Sequence, residues 1–262
     1  MSTQKLTNLS IALFLFMFAW SVGLANPLMN WLTPESEMTR YFVGKGVLTL
    51  VFAMVFWRFG LFAIVGFTRG LGVSSFVIGL PLLALGVLAF FEPGRAALST
   101  FDLAGWAVVV LFVAFTEETL FRGVMWQALC EATVWRRAII TSAMFGLIHF
   151  IPAGLGDFGW TMAAVYGLSA AGFGMIFAAM RERAGTIWSV IIAHAVFDMA
   201  AISAAGDIST LLEPGWETHV RFLSAAFVFA LWGSGAIYLI ERRTKLQREP
   251  QNDVNSARQP NG

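Results

Sequence analysis

Charged residues are scarce in this sequence of 262 residues. Asp, Glu, Lys and Arg make up 13% of it, whereas 58% of the residues are hydrophobic and the mean hydropathy is +0.72. A soluble globular protein has about 25% charged residues. A soluble core cannot bury this much apolar sequence, so we expect a protein whose main solvent is lipid.

Cysteine and net charge are also nearly absent, and each absence excludes a class of protein. The single cysteine, Cys130, excludes an intramolecular disulfide and a cysteine metal cluster, and we interpret it as a small packing residue. A net charge of +1 gives no electrostatic argument for nucleic acid as a partner. Apart from Lys45 near a span end, the predicted membrane segments contain no lysine for a retinal Schiff base.

Long apolar runs are what the sequence has instead. A spanning helix needs about 20 mostly apolar residues. The segments that approach this length are 9–32, 42–57 with an ambiguous extension toward 67, 72–91, 104–129, 137–152, 161–180, 185–206 and 220–240. They predict an all-α fold, a polytopic membrane helical bundle of about eight transmembrane helices. We expect one membrane-embedded domain over residues 1–240, with a motif core at 104–206, and a disordered basic cytoplasmic tail over 241–262.

The charges between these segments predict the orientation of the bundle. Most basic residues fall on the side that carries the N-terminus, whereas the opposite side has fewer and mixes them with acidic residues. The positive-inside rule then predicts a protein of the cell (inner) membrane with both termini in the cytoplasm. The first run has only Lys5 as a basic flank, which favours an anchor over a cleaved signal peptide. The basic residues assigned to the cytoplasmic side are Lys5, Arg58, Arg69, Arg136, Arg137, Arg181, Arg183 and those of the tail.

A few ionisable residues lie inside the predicted spans, where a central charge costs about 2.5–3.5 kcal/mol on insertion scales. Glu118 and Arg122 are spaced i,i+4, the order that favours an ion pair, and His194 and Asp198 have the same spacing. Three helices carry these groups at similar depth, which predicts one polar site in the membrane. The candidate site residues are Glu117, Glu118, Arg122, His149, His194 and Asp198.

Each part of this group also has a structural interpretation. Glu118 and Arg122 could be a structural ion pair. His194 and Asp198 could be an interhelical hydrogen-bonding device, and His149 could be an ordinary interfacial histidine. Together they favour a functional site, because burying several ionisable groups in lipid is unfavourable without a use. The remaining histidine, in an outer loop beside an acidic residue, is expected to be solvated.

The chemistry that suits this group is hydrolysis of a peptide bond. Glu117, helped by His149, could deprotonate a water molecule for attack on a carbonyl. His194 could donate a hydrogen bond to the oxyanion of the tetrahedral intermediate. Asp198 would fix the tautomer and orientation of that imidazole. Arg122 would keep Glu118 ionised, so that the Glu118 carboxylate does not compete with Glu117 for the water.

A metal-dependent alternative uses the same side chains. Glu117, His149 and His194 would be a plausible set of three zinc ligands with an open position for water. The contiguous His-Glu-x-x-His signature of soluble zinc proteases is absent from the sequence. This absence favours a site without a cofactor, with zinc as the alternative.

Three short motifs resemble those of a known family. The segment from Glu117 to Arg122 resembles the E-E-x-x-x-R motif of the CPBP intramembrane proteases, which include the CAAX prenyl endopeptidases and the bacterial abortive-infection proteins. Phe145 to His149 matches the second motif, F-x-x-x-H, and His194 to Asp198 matches the third, H-x-x-x-N/D. The motifs occur in order on separate predicted spans, and the resemblance covers roughly residues 100 to 205.

The resemblance implies a membrane endopeptidase in which Glu117 and His149 activate water and His194, with residue 198, stabilises the oxyanion. Some members carry Asn where this chain has Asp198. An ionised aspartate cannot donate a hydrogen bond, so we expect it to orient His194 instead. We expect membrane lipid as the surroundings, a hydrophobic peptide or a membrane protein as the substrate, and no nucleic acid.

Two other functions stay open. A proton-coupled transporter would also bury Glu, Asp and His on several helices, but it would have inverted repeats, and we find none in the sequence. A non-catalytic membrane scaffold or bacteriocin-immunity protein with the same fold would have decayed motifs. Every motif position is filled here.

Overall fold

The computed structural model describes residues 1–24, 28, 37–89, 91, 98–155, 159–205 and 215–256. Across these residues the chain forms helices and no strands, so the predicted all-α class is confirmed. The helices are α1 (Thr3–Ala19), α2 (Glu37–Phe59), α3 (Leu61–Val65), α4 (Phe76–Ala89), α5 (Thr100–Glu118), α6 (Val134–Leu155), α7 (Gly159–Ala184), α8 (Trp188–Ala205) and α9 (Trp216–Ser256). A π-helical turn, Trp20–Leu24, extends α1, and a 3-10 turn, Val73–Ser75, leads into α4.

Six helices in the described part of the chain are long and apolar enough to cross a membrane. The protein is therefore a multi-pass helical membrane protein. The two further spans predicted from sequence correspond to α4 and α6. Helix α4 belongs to a shorter apolar helix, Val73–Leu88. Helix α6 is not among the six, and the side chains of its last residues, 151–155, lie outside the described part of the structure. The six are Thr3–Val22, Glu37–Phe59, Thr100–Ala128, Gly159–Ala184, Trp188–Ala205 and Trp216–Leu246.

Two glycines settle the ambiguous stretch between residues 58 and 70. Gly60 has a φ of 63° and ends α2, and Gly66 has a φ of 95° and ends the short helix α3. These left-handed conformations are open to glycine at no steric cost. The second span consequently stops at Phe59 and does not continue toward residue 67. Residues 25–27 and 29–32 of the first predicted span lie outside the described residues.

Helix α7 lies at the centre of the bundle and is the most buried of the candidate spans. It packs on α6 through Gly146 and Gly167, where a Cβ on Gly146 would lie 2.6 Å from the Gly167 carbonyl oxygen. It packs on α9 in the same way, because a Cβ on Gly233 would lie 2.6 Å from the carbonyl carbon of Met175. Small residues let membrane helices approach to backbone contact. This packing brings the motif helices close together.

Three expectations for single residues are wrong. Cys130 is exposed and is not a packing residue. Arg181, assigned to a cytoplasmic loop, lies within α7 and is only 3% exposed, because the helix continues to Ala184. His219 lies in the first turn of α9, which starts at Trp216, and it is partly buried rather than solvated in a loop.

The end of the chain also differs from the prediction. Helix α9 is 41 residues long and continues through the polar residues after Glu241 to Ser256, where the sequence predicted disorder. Glu, Lys, Arg and Gln are good helix formers, so a helix already stabilised by packing can extend through them. Residues 257–262 of the predicted tail lie outside the described residues.

Candidate active site

The first motif lies where α5 changes its helical geometry. Ser99 caps the start of α5 by accepting a hydrogen bond from the Asp102 backbone N–H over 3.1 Å. The α-helical part ends with Glu117 and Glu118. A π-helical segment, Thr119–Met125, follows directly and contains Arg122. Such π segments are rare and often occur at functional sites. The whole segment is buried, so its polar side chains must find partners inside the protein.

Glu118 joins the first and third motifs. Its Oε1 lies 2.8 Å from Nδ1 of His194 on α8, and its Oε2 lies 3.4 Å from Nη1 of Arg122. The side chains of Glu118 and Arg122 are both 0% exposed. The ion pair expected from the i,i+4 spacing is therefore present, but the hydrogen bond to His194 connects two helices and was not predicted.

Glu117 faces both histidines with one oxygen and a lysine with the other. Oε2 lies 3.7 Å from Nε2 of His149 and 4.0 Å from Nε2 of His194. Oε1 lies 3.9 Å from Nζ of Lys45 on α2. Lys45 was not among the candidate site residues. The sequence placed it near the end of the predicted span 42–57, whereas the structure places it inside the longer helix Glu37–Phe59. No pattern in the sequence indicated that α2 would pack beside Glu117.

His149 is held by its backbone and by two aromatic rings. Its Nδ1 lies 2.7 Å from the carbonyl oxygen of Phe145, which only accepts hydrogen bonds, so Nδ1–H is the donor. Nε2 is the nitrogen directed at Glu117. The ring of Phe145 lies 4.6 Å from the imidazole, and the ring of Tyr166 packs edge-on at 5.3 Å. Tyr166 on α7 is a second neighbour that the motifs did not indicate.

His194 is surrounded by carboxylates and aromatic rings. Its Nε2 lies 3.3 Å from Oδ2 of Asp198, in the i,i+4 relationship predicted from the sequence. The ring of Phe177 stacks on the imidazole at 5.1 Å, and the ring of Phe145 packs edge-on at 5.8 Å. Both ring nitrogens thus face carboxylate oxygens, which accept hydrogen bonds, so a nitrogen that carries a proton is placed to donate it. The Asp198 side chain is 29% exposed and lies at the open side of the site.

A second buried arginine, Arg181, donates a hydrogen bond to the backbone of Arg122. Nε of Arg181 donates to the carbonyl oxygen of Arg122 over 2.9 Å, and Nη2 donates to the carbonyl oxygen of Val65 over 3.0 Å. Arg181 therefore connects α7, α3 and the π-helical segment. The Arg122 guanidinium lies over the ring of Phe145, with Cζ 4.5 Å from its centroid. This cation–π contact partly replaces the water that a buried guanidinium loses.

The three side chains predicted as possible zinc ligands lie near one another. Among the residues that the structure describes, no group of three or more His, Cys, Asp or Glu is arranged to hold a metal ion. Glu117 lies near both histidines, but Nε2 of His194, which would bind the metal, also faces Asp198. Zinc held by Glu117, His149 and His194 stays the alternative to a site without a cofactor, and the mechanism proposed for this site uses no zinc.

The structure thus brings all the candidate site residues into one cluster built from α5, α6 and α8, with Lys45 added from α2. Residues 99–200, which contain all three motifs, match the profile of the Rce1-like family, described as type II CAAX prenyl endopeptidase Rce1-like. No curated protein matches the chain. The match, over the residues that carry the motifs, supports a likeness to the CPBP family of intramembrane proteases.

Proposed function

We propose that this chain is an intramembrane endopeptidase that hydrolyses a peptide bond with water. The observation that carries the proposal is the contact of one carboxylate oxygen, Oε2 of Glu117, with both motif histidines, at 3.7 Å from His149 and 4.0 Å from His194. A carboxylate and two imidazoles in a space mostly shielded from bulk water can supply both a base and a hydrogen-bond donor.

Glu117 and His149 are the groups that activate the water. A water molecule about 2.8 Å from each atom would complete a triangle with the 3.7 Å separation between Oε2 and Nε2. The water oxygen attacks the carbonyl carbon, and its proton moves to Oε2 of Glu117. When the intermediate collapses, the C–N bond breaks and this proton passes to the leaving amine nitrogen.

His194 is the donor that stabilises the oxyanion. Its Nδ1 is hydrogen-bonded to Glu118, which leaves Nε2 directed into the space shared by Glu117 and Asp198. An oxyanion formed in this space would accept the Nε2–H hydrogen bond. Asp198 and Glu118 orient the imidazole from its two nitrogens, and a preorganised donor of this kind needs little reorganisation during the reaction.

The substrate class follows from where the cluster lies. Helices α2, α5 and α8, which carry Lys45, Glu117 and His194, belong to segments that are long and apolar enough to span a membrane. Large apolar side chains such as Trp57, Leu111 and Phe227 are exposed on the candidate spans. Membrane lipid is the surroundings that fit these faces. We therefore expect a hydrophobic peptide or a segment of a membrane protein as substrate, in a cell membrane with both termini cytoplasmic.

Metal analysis tests the proposal that no cofactor takes part. The purified protein is expected to retain full activity after dialysis against a chelator and to contain less than stoichiometric zinc. Stoichiometric zinc that is lost in His149→Ala would contradict the metal-free mechanism.

The experiment that tests the function compares new protein N-termini in membrane fractions of cells that carry wild type, Glu117→Gln or no copy. The Gln variant keeps the shape of the side chain and removes the base. Glu131→Gln is the matched control, because Glu131 is exposed in the turn between α5 and α6. Cleavage products that appear with wild type and with Glu131→Gln, but not with Glu117→Gln or without a copy, support the endopeptidase. Products that persist in Glu117→Gln would contradict it and favour the scaffold.

A further inference from the structure

Lys45 brings a positive charge to the side of Glu117 that faces away from the histidines. Its Nζ lies 3.9 Å from Oε1 of Glu117, whereas Oε2 of the same carboxylate faces His149 and His194. The two oxygens of one carboxylate therefore have separate partners. Lys45 lies outside residues 99–200, so the family match does not include it.

The packing of α2 on α5 holds Lys45 in this position. Thr49, one turn after Lys45 on α2, donates a hydrogen bond from Oγ1 to the carbonyl oxygen of Phe112 over 3.4 Å. Gly46 lies beside the same residue, because a Cβ there would be 3.4 Å from the Phe112 ring. Phe112 precedes Glu117 on α5 by little more than one turn. The contacts that fix the register of the two helices thus also place the ammonium beside the carboxylate.

The environment of Lys45 differs from that of an ordinary lysine at the end of a span. Such a lysine extends its ammonium to water at the interface. Here the side chain is 22% exposed and its ammonium lies beside a carboxylate whose side chain is 8% exposed. An ammonium is a compact charge with three donors, so it can hold one carboxylate oxygen and leave the other open.

We propose that Lys45 is a positioning residue for Glu117, a role that rests on the endopeptidase function proposed above. Its ammonium holds Oε1 and fixes the rotation of the carboxylate, so that Oε2 stays directed at the two imidazole nitrogens. A water molecule can be deprotonated only where Oε2 and Nε2 of His149 both reach it. Without the ammonium, the carboxylate rotates and this geometry is populated only part of the time.

The test uses purified full-length protein in detergent micelles and a quenched-fluorescent library of apolar decapeptides. The library peptide that the wild type cleaves fastest serves as the probe for kcat and KM. Lys45→Met and Lys45→Gln remove the charge and keep a side chain that is only one atom shorter, and Lys45→Arg keeps the charge. Lys245→Met is the matched control, because Lys245 is exposed on α9. Thermal unfolding of every variant shows that each one is folded.

We expect Lys45→Met and Lys45→Gln to lower kcat by about tenfold to a hundredfold, with KM changed by about twofold or less, because misplacing a reacting group acts on the chemical step. Lys45→Arg recovers most of the kcat, and Lys245→Met equals wild type. A loss of stability alone would not produce this recovery together with an unchanged KM.

The outcomes separate this inference from the proposed function. A kcat of wild-type size in both uncharged variants, with Glu117→Gln inactive, overturns the role of Lys45 and leaves the endopeptidase intact. A raised KM at unchanged kcat also overturns it, because Lys45 would then contact the substrate. A wild type that cleaves no library peptide, or a Glu117→Gln variant as active as wild type, overturns both.

Discussion

His194 donates a hydrogen bond from Nδ1 to Oε1 of Glu118 over 2.8 Å, although 76 residues separate them in the sequence. This hydrogen bond connects the first motif, which contains Glu118, to the third motif, which contains His194. Glu118 already accepts from Arg122 at 3.4 Å, so a single buried carboxylate holds both the arginine and the imidazole. Glu118 therefore positions the histidine, in addition to forming the ion pair that its sequence spacing predicts.

The ion pair of Arg122 with Glu118 is expected to be essential for stability. Arg122→Met should lower the free energy of unfolding by about 3–5 kcal/mol, because it leaves a buried carboxylate without its cationic partner. The loss is measured by denaturant unfolding in detergent. Arg136→Met, at an exposed position near the start of α6, is the control and should change stability little. Equal stability of the two variants would show that Glu118 does not depend on Arg122.

Asp198 is expected to act through an accepted hydrogen bond rather than through its charge. Asp198→Asn keeps a carbonyl oxygen that can accept from Nε2 of His194, so kcat should fall by about tenfold or less, which corresponds to about 1.4 kcal/mol or less. Asp198→Ala removes the acceptor and should lower kcat by about a hundredfold or more. The measurement is cleavage of the same library peptide in micelles. If the Asn variant were as inactive as the Ala variant, the charge itself would be needed.

How far the site could be predicted depends on the distance along the chain over which its contacts form. The Glu118–Arg122 and His194–Asp198 pairs lie within one helix, and helical periodicity predicts both. The contact of Lys45 with Glu117 depends on how α2 packs on α5, and no local pattern encodes that packing.

Helix boundaries were predicted less well than helix positions. Arg181 follows an apolar run and begins the charged stretch Arg181-Glu182-Arg183, so it resembled a loop arginine. In the structure α7 continues past it, and its guanidinium binds two backbone carbonyls. The π-helical geometry of Thr119–Met125 was also missed, because its sequence continues the apolar pattern of an ordinary helix. Gly60 ends α2 through a φ of 63°, which is a backbone property that composition only suggests.

Arg181 is expected to hold the π-helical segment through two directed hydrogen bonds. Arg181→Lys keeps the charge but cannot donate to the carbonyls of Arg122 and Val65 with the same fork. We expect stability to fall by about 1–3 kcal/mol, because at least one buried carbonyl loses its donor. Denaturant unfolding measures the change, and Arg183→Lys, exposed two residues later on α7, is the control. Unchanged stability of Arg181→Lys would mean that its charge alone is sufficient.

Gly174 on α7 is expected to be required because it leaves the space that the Arg122 guanidinium occupies. A Cβ at this position would lie 2.8 Å from Nη2 of Arg122 and 2.9 Å from both Cα and Cβ of Ser142 on α6. Arg122 is fully buried and paired with Glu118, and the Cα of Ser142 belongs to the backbone. Moving either neighbour would therefore cost free energy. Gly174→Ala must displace the guanidinium or separate α6 from α7, both of which disturb the site.

We expect Gly174→Ala to destabilise the protein by about 1–3 kcal/mol, the usual effect of overpacking a close contact. It should also lower kcat, because Glu118 and His194 move with the guanidinium. Gly235→Ala on α9 is the matched control: a Cβ there meets no atom within 4 Å, so the change should be neutral or slightly stabilising. Denaturant unfolding and peptide cleavage are measured on both variants. If Gly174→Ala kept wild-type stability and kcat, the guanidinium would have room to shift without disturbing the carboxylate and imidazole that it helps to hold.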